Sequence, residues 1–312
     1  MDILLYGALI LAQLATNVKQ FTMKRCGQKT PGAFNSVCIN LVRSVICLVV
    51  GALIWLFTDG NTTTLFGHII IVIAGLGTAL NLFAWILSSR LVSLTLIECI
   101  SMIGTLVLPL VIAPYAYAGD KVSLLQWIGC ILIFVSVFLF MNKGEKTKKE
   151  GTLFQKIAVV AVCAIGATLA AIFKKLYTFH ITEKGLGTIE YFTFISFVAM
   201  LAIFLIFFAF CYSKENQRVA EIKTEDGKPA KVELPYKKVW VYILMAAVAL
   251  YANELFTSYA SQLPSAIFYP LSRGLVVLGS FLLDVIVFKD KVTVKKIIGL
   301  VVVAVAIVLV NL

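Results

Sequence analysis

Charged residues are scarce in this sequence. Asp, Glu, Lys and Arg make up 14% of its 312 residues and hydrophobic residues 61%, whereas soluble domains have about 25% charged residues. The composition therefore excludes an ordinary soluble domain and indicates an integral membrane protein.

Metal-ligating patterns are also missing. The sequence has two histidines, His68 and His180, and its seven cysteines include no CxxC pair. A zinc site and a disulfide framework both need such spacing. We therefore expect no bound metal and no cofactor.

Catalytic and nucleotide-binding motifs are absent as well. No HExxH, DxD or GxSxG pattern occurs, and "GLGTAL" from Gly75 lacks the third glycine of a dinucleotide fingerprint. The sequence thus favours neither an enzyme nor a nucleotide-driven pump. The net charge of +11 comes from short basic clusters between apolar runs, so a nucleic-acid partner is not expected either.

Long apolar runs dominate the sequence. Because a membrane span needs about 20 mostly apolar residues, the runs predict ten transmembrane helices and a lipid bilayer as partner. The first run starts almost at Met1 without a basic segment before it, so we expect a true first helix and no cleaved signal peptide. The predicted spans are 3–18, 34–57, 68–88, 92–114, 122–142, 156–173, 188–212, 239–260, 264–288 and 294–312.

Loop lysines and arginines predict the orientation. Nearly all of them fall in the loops that follow odd-numbered spans, and the other loops carry only Lys121, Lys174, Lys175 and Lys184. Positive loops face the cytoplasm. This predicts a plasma-membrane protein with both termini outside and a solvated cytoplasmic linker at 213–237.

The chain contains an internal repeat. "GDKVSLLQWIG" from Gly119 matches "KDKVTVKKIIG" from Lys289, and "LNLFAWILSSRLVS" matches "ANELFTSYASQLPS" with Asn81 on Asn253. "LATNVKQFTMKR" also matches "GATLAAIFKKLY". A five-span unit in residues 1–150 is thus repeated in 151–312. Because five is odd, the second unit enters the membrane inverted, as in secondary transporters.

The sequence resembles the drug/metabolite transporter superfamily, in particular its ten-span EamA-type members. The resemblance covers nearly the whole chain and is carried by the repeat, by "LPSAIFYPLSRGLVVLGSFLLDVIVFKDKV" and by "SLTLIECISMIGTLVLPL". It implies transport of a small organic molecule, often outward and driven by protons or exchange. It further implies that helices 1, 3, 4, 6, 8 and 9 line a cavity, while 5 and 10 pack at the periphery.

Four ionisable residues within spans need an explanation, because each costs about 2.5–3.5 kcal/mol at the bilayer centre. Counted from the ends of their predicted spans, Glu254 and Arg273 lie at similar depths on one side of the membrane and could meet there. Glu98 and Arg43 could meet in the same way on the other side. Each either binds substrate or protons or forms a static pair. Lys174 and Lys175 are expected to snorkel to the outer interface.

Amides and aromatics complete the candidate site. Asn81 and Asn253 either contact substrate or hydrogen-bond between helices. Trp85 and Tyr269 either form an aromatic wall for an organic substrate or pack against neighbouring helices.

The expected function is secondary active transport, with export as the expected direction, of a small organic metabolite or drug-like molecule. Protons or a counter-substrate would drive it, and the protein would be a monomer or homodimer. The alternatives are an accessory or flippase-like subunit for lipid-linked sugars and a non-transporting membrane sensor.

Overall fold

The computed structural model describes residues 2–30, 32–58, 62–91, 93–102, 104–105, 123–140, 153–220, 234–263 and 265–311. Helices are the only regular secondary structure within these ranges. The ten α-helices found there are α1 Asp2–Lys29, α2 Ala33–Phe57, α3 Leu65–Leu91, α4 Leu94–Met102, α5 Leu124–Phe140, α6 Leu153–Tyr177, α7 Ile189–Ala220, α8 Tyr236–Ala260, α9 Ser265–Leu282 and α10 Val294–Asn311.

Two helices end in a wider turn. A π-helical segment, Thr178–Thr182, continues α6, and Leu283–Val287 continues α9. Such segments shift the side chains that follow them relative to a regular α-helix.

Several helix ends differ from the predicted spans. α1 runs to Lys29 instead of ending at residue 18, and α6 with its π segment runs to Thr182 instead of ending at residue 173. α7 extends to Ala220, so the first part of the predicted linker 213–237 is helical. Hydropathy locates apolar stretches only, and a helix continues past them while its backbone hydrogen bonds persist. The second half of predicted span 4 lies largely outside the described residues.

Several of the described helices have the length and composition of membrane spans. Five of the described helical stretches are long and apolar enough to cross a membrane: Ala33–Phe57, Leu65–Ser88, Ile157–Thr182, Ile189–Arg218 and Tyr236–Ala260. Phe57, Phe154 and Phe210 on the outside are 71–88% exposed, while polar residues such as Gln20 and Asn40 are fully buried. An apolar exterior around polar groups is the arrangement expected in lipid.

Four helix pairs make the most extensive contacts in the described bundle. α3 packs on α6, α1 on α8, α2 on α7 and α5 on α10. α4 lies between them and contacts α6 and α9. α5 and α10 contribute Phe140, Val303 and Ala306 to an apolar cluster shared with α1 and α9.

Glycines bring α3 and α6 into backbone contact. A Cβ atom on Gly77 would lie 2.6 Å from the amide nitrogen of Ala170, and one on Gly166 would lie 2.5 Å from that of Asn81. The glycines of "GLGTAL" therefore serve helix packing in α3. This crossing holds Asn81 against α6.

Candidate functional site

A polar cavity of about 100 Å³ lies among the helices. Its lining comes from α1, α3, α4, α6, α8 and α9, and from Ser261 just after α8. These are the six helices that the resemblance implies for a cavity. The lining residues are Gln13, Thr16, Lys19, Thr78, Asn81, Leu82, Trp85, Glu98, Ser101, Ala167, Ala170, Ala171, Lys174, Asn253, Glu254, Thr257, Ser261, Phe268, Ser272 and Arg273.

The cavity brings together six of the eight residues singled out in the sequence. They are far apart in the chain and come from α3, α4, α8 and α9: Asn81, Trp85, Glu98, Asn253, Glu254 and Arg273. Arg43 lies elsewhere. Tyr269 belongs to α9, but its side chain lies outside the described residues.

Glu254 forms its ion pair with Lys174 of α6, through a short contact between its Oε2 and the lysine Nζ. Both side chains are largely buried, at 19% and 9% exposure. Arg273, the partner considered from helix depth, lines the same cavity. The ion pair thus joins α6 to α8 at the cavity wall.

Lys174 and Lys175 do not snorkel outward, so that expectation was wrong. Both residues are buried because α6 extends at least one turn further than predicted. Lys175 Nζ donates to the carbonyl oxygens of Ser261 and Leu263 at 2.5 and 3.0 Å. The Ser261 and Thr178 hydroxyls lie 2.8 Å apart. Together these contacts join α6 and its π segment to the residues that follow α8, next to Ser261 in the cavity lining.

Another buried lysine, Lys24, forms an ion pair at the opposite end of α9. Lys24 Nζ of α1 lies 2.8 Å from Asp284 Oδ1. Asp284 also accepts hydrogen bonds from the backbone N–H and hydroxyl of Thr95, at 2.9 and 2.7 Å, and so caps the start of α4. The contact was not predicted, because the predicted first span ends at residue 18 and leaves Lys24 in a loop. In the sequence, only the acidic residue near the end of an apolar run pointed to it.

The two matched asparagines hydrogen-bond to helices that also correspond in the repeat, α6 and α1. Asn81 Nδ2 of α3 donates to the Cys163 carbonyl of α6 at 2.9 Å. Asn253 Nδ2 of α8 donates to the Ala12 carbonyl of α1 at 3.1 Å and to Thr16 Oγ1 at 2.6 Å. Both amides therefore hydrogen-bond between helices while also lining the cavity.

Glu98 and Arg43 occupy different environments. Trp85 Nε1 donates to Glu98 Oε1 at 3.2 Å, which sets a carboxylate against an aromatic ring in the cavity wall. Arg43 is fully buried, and its Nη1 lies 2.8 Å from both Met23 Sδ and Asn40 Oδ1. Arg43 therefore belongs to the packing between α1 and α2.

Lys19 lines the cavity, although the predicted spans place it in a loop. Because α1 continues to Lys29, Lys19 faces the cavity, and its Nζ lies 3.4 Å from Asn253 Oδ1. The lining then carries three basic side chains, Lys19, Lys174 and Arg273, and two acidic ones, Glu98 and Glu254.

The lining combines charged, polar and apolar side chains. It offers cations, carboxylates, amides and hydroxyls for hydrogen bonds, with Trp85 and Phe268 as apolar walls. Among the described residues, no cluster of three or more His, Cys, Asp and Glu could hold a metal ion.

Among the comparisons with known proteins, only the search of solved structures found similarity, and it is a similarity of fold. No family model and no curated protein matches the chain. Among solved structures, 28 chains match. One of them, described only as a crystal structure of a protein, is 11% identical with a TM-score of 0.56, over 98% of this chain and 94% of its own. This helical arrangement therefore recurs in a solved structure along nearly its whole length.

Proposed function

We propose that this chain is a secondary active transporter that moves a small organic molecule across the cell membrane by alternating access. The observation that carries the proposal is a charged, polar cavity at the centre of an apolar helical bundle, lined by helices from both halves of the chain. Ionisable groups inside a membrane bundle usually mark a pathway for substrate or ions.

The proposed architecture is ten spans in two inverted five-helix repeats. Its support is the packing of the four helix pairs with the most extensive contacts, which is unchanged when each helix is exchanged with the one five places along. The α3–α6 contact then becomes α8–α1, and the α2–α7 and α5–α10 contacts become themselves. The same exchange converts the hydrogen bond of Asn81, from α3 to α6, into that of Asn253, from α8 to α1. Such repeats allow two halves to swap conformations.

Two sets of buried lysine contacts, one near each end of α9, are consistent with this mechanism. The Lys175 contacts with Ser261 and Leu263 lie at the start of α9, and the Lys24–Asp284 pair lies at its end. At 1.5 Å per residue these sites are about 30 Å apart along the helix, or roughly one bilayer thickness. We propose that the cavity opens to one side of the membrane when the Lys175 contacts break. It opens to the other side when the Lys24–Asp284 pair breaks.

Glu254 is the proposed coupling residue. A proton on Glu254, or an anionic substrate group on Lys174, would compete with their ion pair and release α8 from α6. A ligand shifts such an equilibrium only by its different affinity for the two states. In our proposal the pair is intact in one state and broken in the other.

The proposed orientation has both termini outside and the 213–237 segment in the cytoplasm. Lys19, Lys24, Lys174 and Lys175 no longer count as loop charges, since they lie in helices and contact buried groups. The remaining basic residues between spans keep the same bias, with Lys121 and Lys184 on the outer side.

Transport is tested with the purified protein in two steps. A metabolite library is first screened for compounds that raise its melting temperature, since ligands of the native state stabilise it. Each such compound, isotopically labelled, is then offered to proteoliposomes with an imposed pH gradient. We expect gradient-driven accumulation with wild type, retained by Glu215→Gln on the surface and abolished by Glu254→Gln. Binding without accumulation of any compound would favour a sensor over a transporter.

A further inference from the structure

The cavity lining has an excess of positive charge. With all five ionised, Lys19, Lys174 and Arg273 outnumber Glu98 and Glu254 by one charge. An uncompensated charge enclosed by an apolar bundle is costly. A ligand with one negative charge would neutralise the lining.

The contacts of the ionisable lining residues indicate where the excess positive charge lies. The carboxylate of Glu254 is held by Lys174 on α6. Glu98 accepts a hydrogen bond from Trp85. Lys19 contacts the amide oxygen of Asn253 at 3.4 Å, and within the described part of the chain no carboxylate lies within 4.0 Å of its Nζ. Arg273 lines the same cavity, and the planar donors of a guanidinium group suit a carboxylate.

The size of the cavity restricts the ligand further. Sites for drug-sized molecules have about 300–1,000 Å³, whereas this cavity has about 100 Å³. The hydroxyl and amide groups of Gln13, Ser101 and Thr257 around it suit a polar molecule. Bulky amphiphilic compounds and drugs do not fit.

We propose that the substrate is a small organic monoanion, of about three to five carbons by cavity size, whose carboxylate binds Lys19 and Arg273. Calling this molecule a substrate rests on the proposed transport function. The binding site itself does not depend on it.

The first test needs no ligand. If Lys19 is an uncompensated cation in the empty protein, Lys19→Met should raise the melting temperature in detergent, by about 2–4 °C. Glu98→Gln, which leaves the lining more positive, should lower it. Lys24→Met, which breaks the pair with Asp284, should also lower it and serves as the control for losing a structural lysine. A lower melting temperature for Lys19→Met would overturn the inference, because it would make Lys19 a structural residue as well.

The second test measures binding. Small carboxylates such as lactate, pyruvate and isobutyrate are compared with their neutral amides by their effect on the melting temperature of the purified protein. We expect carboxylates to stabilise it and amides not to. Lys19→Met and Arg273→Met should each weaken binding about tenfold or more, and the exposed-site control Lys184→Met should not. Equal effects of acids and amides, or none from the acids, would overturn the inference.

The two proposals fail differently. A carboxylate that binds but does not accumulate in proteoliposomes would uphold the anion site and refute transport. Accumulation of a neutral compound, unaffected by Lys19→Met, would uphold transport and refute the anion site.

Discussion

At the scale of single residues, the helical bundle contains buried lysines whose partners are distant in sequence. Lys174 meets Glu254, and Lys24 meets Asp284. The Lys174–Glu254 pair also breaks the repeat, since the aligned first-half positions are Thr22 and Leu82. In the proposed mechanism, this pair is a point at which the two repeated halves would differ in function.

The Lys174–Glu254 pair should be energetically coupled. We expect Glu254→Gln and Lys174→Met each to lower the free energy of unfolding by roughly 3 kcal/mol, because each leaves its partner buried without a counter-charge. The double variant should recover a large part of the loss. Unfolding followed in mixed detergent micelles measures all three values.

The surface pair Glu215–Arg218, at 3.7 Å and more exposed, is the control. Glu215→Gln should change the free energy of unfolding by less than about 1 kcal/mol. Additive losses in the Lys174 and Glu254 double variant would contradict the coupling.

At the scale of helices, close approach depends on glycine. The α3–α6 crossing places Gly77 and Gly166 against each other's backbone, with 2.7 Å between the Gly77 oxygen and the position of a Cβ on Gly166. The amide of Asn81 reaches the Cys163 carbonyl at this crossing. The position of a cavity residue therefore depends on the absence of a side chain on the facing helix.

Gly166→Ala should separate α3 from α6. We expect a loss of roughly 1–3 kcal/mol in stability, because the new methyl group would overlap backbone atoms that cannot rotate away. Gly7→Ala is the matched control in α1, where a Cβ meets nothing within 4 Å. That change should be neutral or stabilising by up to about 1 kcal/mol. Comparable melting temperatures for the two variants would contradict the tight crossing.

At the scale of the molecule, the proposed inverted repeat fixes where the termini lie. The ten proposed spans would place both termini on one side of the membrane, and the loop charges predict that this side is the outside. The packing of α1 on α8 and of α3 on α6 then puts helices of opposite halves on either side of the cavity.

Reporter fusions test this topology. Alkaline phosphatase fused after Leu312 should be active, and a fluorescent protein fused there should be dark. The same reporters fused after Glu225 in the 213–237 segment should give the reverse, because that segment is proposed to be cytoplasmic. A fluorescent fusion at Leu312 would contradict the proposed orientation.

The sequence alone determined the helical character and apolar surface of this protein, because runs of apolar residues report directly on the solvent around a helix. It also identified Glu254, Glu98, Asn81, Asn253, Trp85 and Arg273, since polar groups in such runs stand out. Only the tertiary structure decided which of them meet. Lys19, Lys24, Lys174 and Lys175 looked like loop or interface residues because hydropathy ends a span at the first charge, whereas the helices continue and bury those charges against distant partners. Arg43 shows the converse, since an intramembrane charge is conspicuous in sequence but only packing shows that it lies away from the cavity.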